Sequence, residues 1–132
     1  MLPRPLPLPL LLLLTACATQ GTTGATATGN TDCRPPAEAV LPGTAGTLAE
    51  TDTGSFCLPT GQRLTVFLTA TGTAHWSAVT SSDPRVLAPA KAPLTAPVGV
   101  TPALFAANGP GTAQLTSQDG TGHRWQATIV VR

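Results

Sequence analysis

The chain has 132 residues, a formal net charge of +1, 10% charged side chains, 14 Pro, 13 Gly and 3 Cys. That length holds one domain of ordinary size. The near-neutral charge argues against nucleic acid as the main partner, because no basic excess exists to neutralise phosphates.

The chain opens with MLPRPLPLPLLLLLTAC, residues 1–17. Arg4 precedes an apolar run whose uninterrupted part is Leu10 to Leu14. That run is far shorter than the roughly 20 apolar residues a membrane-crossing helix needs. A basic start, a short apolar stretch and then small residues form the layout of a secretory signal, which is removed on export. Its last four residues, Leu14-Thr15-Ala16-Cys17, resemble the bacterial lipobox. The resemblance implies that the leader is 1–16, that cleavage falls before Cys17, and that the Cys17 thiol carries a diacylglycerol. Ala18 follows, so nothing acidic stands at the position that diverts some lipoproteins to the inner membrane. Two acyl chains anchor stably where one holds weakly, since each buried methylene contributes about 0.8 kcal/mol. The folded part is therefore expected on the extracytoplasmic face of a cell membrane, with the membrane itself as one partner.

Residues 17–32 comprise this cysteine and a tract of little but Thr, Ala and Gly. Such a tract cannot bury enough surface to offset its ordering entropy, so it is expected to be a flexible tether. Its random-coil reach is about 20 Å. With Cys17 assigned to lipid, Cys33 and Cys57 remain, and an even pair outside the cytoplasm reads as a disulfide. A metal site would want His partners at ligand spacing, and His75 and His123 stand far apart. A reactive thiol would want a basic neighbourhood, which Cys57 lacks.

From 33 to 132 large apolar residues come in short runs separated by Gly, Pro, Asn and Asp. Thr47–Thr51 and Ser55–Leu58 are the first candidate strands. Arg63–Thr69 alternates, with Leu64, Val66 and Leu68 on one face. His75–Val79 and Val86–Ala88 are weaker candidates. Ala103–Ala107 and Thr112–Ser117 flank the turn signal Asn108-Gly109-Pro110-Gly111. After a turn at Asp119-Gly120, Trp125, Ala127, Ile129 and Val131 share the last face. No helical stripe of ten residues occurs, and prolines at 84, 89, 93, 97 and 102 would break one. Seven or eight short strands predict an all-β fold, a single immunoglobulin-like antiparallel β-sandwich following the signal peptide and flexible linker. Its expected core is Leu64, Val66, Leu68, Trp76, Val79, Leu87, Leu104 or Phe105, Leu115, Trp125, Ile129 and Val131.

No convergent set of titratable groups marks an enzyme, and no cofactor or metal is expected. Glu50 and Asp52 could share a strand face as paired carboxylates, but acidic residues near turns are usually just solvated. Ser81-Ser82-Asp83-Pro84 reads as a turn, because no G-x-S-x-G is present.

A second resemblance runs along the folded part. Gly61-Gln62-Arg63-Leu64-Thr65-Val66, then Thr71-Gly72, Trp76, Val98-Gly99-Val100 and Arg124-Trp125 are similar to the order of motifs in chagasin-type inhibitors of cysteine peptidases. That family is an immunoglobulin-like sandwich that wedges three loops into a papain-like cleft. Its first loop is Asn-Pro-Thr-Thr-Gly, of which only Thr71-Gly72 matches. Its second is Gly-rich, and this chain has one Gly at 99. Its third is Arg-Pro-Trp or a close variant, and here the Pro is missing. The resemblance implies Thr71, Gly72, Gly99, His123, Arg124 and Trp125 as contact positions. The sequence thus supports a lipid-anchored binding or structural module meeting a cell-envelope protein or glycan, with the peptidase inhibitor as the alternative. Growth with alkyne-palmitate should label the wild-type chain and leave a Cys17→Ala variant dark. Equal labelling of the two would refute lipidation at Cys17.

Overall fold

The computed structural model describes Pro3, residues 32–91 and residues 94–132. The leader apart from Pro3, Cys17 and the tether up to Thr31 lie outside the described residues. Eight strands follow in order: β1 Gly46–Ala49, β2 Gly54–Leu58, β3 Arg63–Thr69, β4 Thr80–Ser81, β5 Leu87–Pro89, β6 Val100–Ala107, β7 Gly111–Gln118 and β8 Arg124–Val131. They form two four-stranded sheets, β1-β3-β6-β5 and β2-β8-β7-β4. Among the described residues no helix is long and apolar enough to cross a membrane.

Period-two alternation decides which side chains meet between the sheets. Leu64, Val66 and Leu68 of β3 and Phe105 and Ala107 of β6 line one inner face. Ala113 and Leu115 of β7 and Trp125, Ala127, Ile129 and Val131 of β8 line the other. Leu48, Phe56, Leu58, Val79, Val86 and Leu87 complete this core. Fully burying a side chain of this size contributes about 1.5–3 kcal/mol, so the two faces together drive the fold. Both members of the pair Leu104 or Phe105 are buried, but on opposite faces. Phe105 enters the core, whereas Leu104 packs on the outside of its sheet. Trp76 is only half-buried and leans against the core from a loop.

The expected strand at His75–Val79 does not form. Its Trp76 carbonyl accepts from the Thr101 hydroxyl (3.0 Å), and pairing begins only at Thr80, opposite Thr116. The sheets are also not purely antiparallel. β1 runs parallel to β3, and β2 parallel to β8. The physical reason is that the β1–β2 turn crosses from one sheet to the other, so each strand joins a different edge. Alternation in sequence records which face is buried and carries nothing about the direction of the neighbour.

Ahead of β1 a strap closes one side of the sandwich. Arg34 pairs with Phe56 at the edge of one sheet and Ala37 with Thr47 at the edge of the other. The Arg34 guanidinium lies 4.4 Å from the Phe56 ring centroid, a cation–π contact. Gly46 lets the strap pass closely, since a Cβ there would stand 2.6 Å from Pro36. Cys33 and Cys57 are joined as a disulfide with Cα atoms 5.2 Å apart. Pro102 is tolerated within β6 because β5 pairs only with Phe105–Ala107, leaving no partner on that side to receive a donor.

The disulfide spans 24 residues, for which the chain-entropy model gives roughly 3 kcal/mol. A Cys33→Ser/Cys57→Ser double variant should lose about that much in urea unfolding. An unchanged midpoint would show that the non-covalent contacts of Arg34 and Ala37 hold the strap without it.

Candidate functional site

Following the strands shows that four connections lie at one end of the sandwich. They are the β1–β2 turn (50–53), the β3–β4 loop (70–79), the β5–β6 loop (90–99) and the β7–β8 hairpin (119–123). The opposite end holds the β2–β3, β4–β5 and β6–β7 turns and Arg132, whose carbonyl oxygen accepts from the Thr60 amide (2.8 Å).

Hydrogen bonds tie the four connections into one surface. The Ala70 amide donates to the Gly99 carbonyl (2.8 Å), joining the second loop to the third. The Ser77 amide donates to the Gln118 carbonyl (2.8 Å), and the Ser117 hydroxyl donates to the Ser77 carbonyl (2.7 Å). The second loop is thereby fastened to the hairpin of the other sheet. Glu50 accepts from the Thr69 amide (2.6 Å), and Asp52 accepts from the Ala49 amide (2.8 Å). These carboxylates sit in a turn and bind backbone, so they do not act as a catalytic pair on a strand face. Among the described residues no group of three His, Cys, Asp or Glu side chains could hold a metal.

Each residue implied by the family resemblance can now be placed. Thr71 and Gly72 are exposed at the start of the β3–β4 loop, where Gly72 takes a left-handed φ of 68°. Gly99 closes the β5–β6 loop at φ 89°, a conformation that costs a side-chain-bearing residue free energy. His123 is 78% exposed on the hairpin. Arg124 is exposed beside it and borders a polar recess of about 130 Å³, shared with Ser77, Thr80, Thr116 and Gln118. Trp125 stands apart from the others because it is only 2% exposed. Its indole N–H donates to the Asp52 carbonyl (3.0 Å), so it braces the first turn from below and presents no surface.

Sequence reasoning did not single out Val98, which is 99% exposed at the tip of the β5–β6 loop. A branched apolar residue between Pro97 and Gly99 was the available signal, because such a turn projects its side chain outward. It also missed how the hairpin is held. The Asp119 carboxylate accepts from the Thr121 amide (2.9 Å), the Thr121 hydroxyl (2.8 Å) and the His123 amide (2.9 Å). Its second oxygen lies 3.2 Å from His123 Nδ1. This is an Asx-type turn, with the side chain organising backbone two and four residues on.

Desolvation inside the turn pushes the Asp119 carboxyl upward, but the hydrogen bonds from Thr121 and His123 together outweigh it and bring the pKa to about 2. Its side chain is 11% exposed, sheltered by its own turn although the hairpin is at the surface.

A cysteine protease inhibitor from Entamoeba histolytica aligns with a TM-score of 0.53 and 11% identity, covering 65% of this chain and 93% of its own. The solution structure of amebosin aligns at a TM-score of 0.44 and 10% identity, covering 65% of this chain and 96% of its own. No family model matches the chain, and no curated protein matches it. At such identity the first likeness establishes the architecture alone. The chain has the small immunoglobulin-like β-sandwich fold that this inhibitor also has.

The lowered Asp119 pKa sets a pH window. Because the folded value of about 2 lies below the ordinary 3.8, the carboxylate stabilises the hairpin fully above about 4, and the effect is lost as pH falls through about 2. The Asp119 side-chain carboxyl carbon resonance should titrate with a midpoint of about 2. A midpoint at the ordinary carboxylate value would contradict the bonding described.

Proposed function

We propose that the chain is an exported inhibitor of papain-like cysteine peptidases, lipid-anchored through Cys17, that binds with the four-loop end of its sandwich. The observation that carries this reading is convergence. Thr71-Gly72, Val98-Gly99 and His123-Arg124 are distant in sequence, yet they stand at one end and are hydrogen-bonded to one another through Ala70, Ser77 and Gln118. The fold shared with a cysteine protease inhibitor supports the reading, as does the order of motifs along the chain.

The mechanism follows from the rigidity of this end. A loop that is already in its bound shape loses little conformational entropy on docking, so more of the contact energy appears as affinity. Here the loops are fastened at both sheets and braced by Trp125 beneath the first turn. Val98 offers an apolar tip to a cleft, and Arg124 with the neighbouring hydroxyls offers polar contacts beside it. Inhibition by this route is occlusion, requiring no chemistry from the inhibitor. A lipid anchor would hold the domain near the membrane, where peptidases meet it at raised local concentration.

The test is inhibition of papain by the purified chain. Activity should fall at micromolar chain or below, and Val98→Asp should raise the inhibition constant tenfold or more, about 1.4 kcal/mol. Arg85→Ala, at the far end, should leave it unchanged. Full papain activity at micromolar chain would overturn the reading.

A further inference from the structure

The outer faces of the two sheets differ in character. On β2-β8-β7-β4 the outward residues of β7 and β8 are polar except Val130, with Gln114 paired to Thr128 and Thr116 to Gln126. On β1-β3-β6-β5 the outward face instead carries Phe67, Pro102 and Leu104. A solvated sheet face has no need of these apolar side chains, and part of this one is roofed. Leu41 and Thr44 from the segment before β1, and Leu94 and Thr95 from the β5–β6 loop, lean over Leu104 and Arg63. Between roof and sheet lies a half-open cavity of about 220 Å³.

We infer that this cavity, between the outer face of β3–β6 and its two covering segments, binds a medium-chain aliphatic carboxylate. Two observations specify the ligand. Leu41, Leu94 and Leu104 supply apolar walls from three separate elements, and Leu104 as a wall is only 6% exposed. A hydrocarbon chain laid along these leucines removes apolar surface from water. Arg63 lines the same cavity, is exposed, and pairs with no carboxylate among the described residues; the ion pairs found are Arg85–Asp83 and His123–Asp119. An unpaired guanidinium beside an apolar cavity selects an anionic end group, and its planar fork suits a carboxylate.

Thr65 is fully buried on the same face, directly across the ladder from Leu104 and Thr47. It lies beneath the cavity and does not line it, so the anionic end group is selected by Arg63. The free acid and the acyl chain of a membrane lipid share the hydrocarbon, but only the free acid brings the charge.

The site lies on a sheet face around Arg63 and Leu104; Leu94 and Thr95 belong to the β5–β6 loop, but none of the proposed peptidase contacts lines the cavity. Photolabelling of the full chain tests it, using an eight-carbon carboxylate with a diazirine near its tail and peptide mapping by mass spectrometry. Label should fall on the segments containing Leu41–Thr44 and 94–104. Octanoate should compete at least fivefold better than methyl octanoate, which keeps the hydrocarbon and removes the charge. Arg63→Gln should reduce labelling at least threefold and Arg63→Lys should retain most of it, with circular dichroism confirming that both variants fold. Diffuse labelling, equal competition by the ester, or full labelling of Arg63→Gln would overturn the assignment. Papain inhibition by the Arg63 variants should be unchanged, which separates the two sites.

Discussion

Everything in this molecule depends on burying two alternating faces against each other. Once Leu64, Val66 and Leu68 face Leu115, Ile129 and Trp125, the register of every strand is fixed. A slip of one residue would turn the apolar set outward. Fixed register then determines where each strand ends. Strand ends in turn place the connections, and the connections carry the candidate site. The same constraint forces the residues between core positions outward, which is why Leu104 leaves the core and becomes the wall of an outer cavity.

The closing of the sandwich illustrates a second level. Edge strands offer unpaired backbone groups that invite association, and β1 and β2 are both such edges. The strap from Cys33 to Ala37 covers part of each, and the disulfide keeps it there without demanding a larger core. Small domains bury a modest fraction of their surface, so one covalent closure is a substantial share of their stability.

At the four-loop end, polar groups do the work that apolar packing does in the middle. Glu50 and Asp52 accept from the last amides of β3 and β1, and Asp119 accepts from amides of its own hairpin. Ser77 and Ser117 join two sheets through hydroxyl and carbonyl groups. These bonds hold the loop surface in shape without making it apolar. Val98 is the exception, an apolar side chain left fully in water at the tip of one loop.

The sequence by itself determined the all-β class, the strand from Arg63 to Thr69, the hairpin turns and the pairing of Cys33 with Cys57. Alternation, turn residues and cysteine parity are local or countable signals, so they are legible without coordinates. Tertiary structure alone decided the parallel edges, the loss of the strand at His75–Val79, and the choice of Phe105 over Leu104 for the core. It also decided that Thr71, Val98 and His123 share one end while Trp125 is hidden beneath it. Those outcomes rest on which strands become neighbours across many residues. That choice is made by the closing of the whole sandwich, and no short stretch of sequence records it.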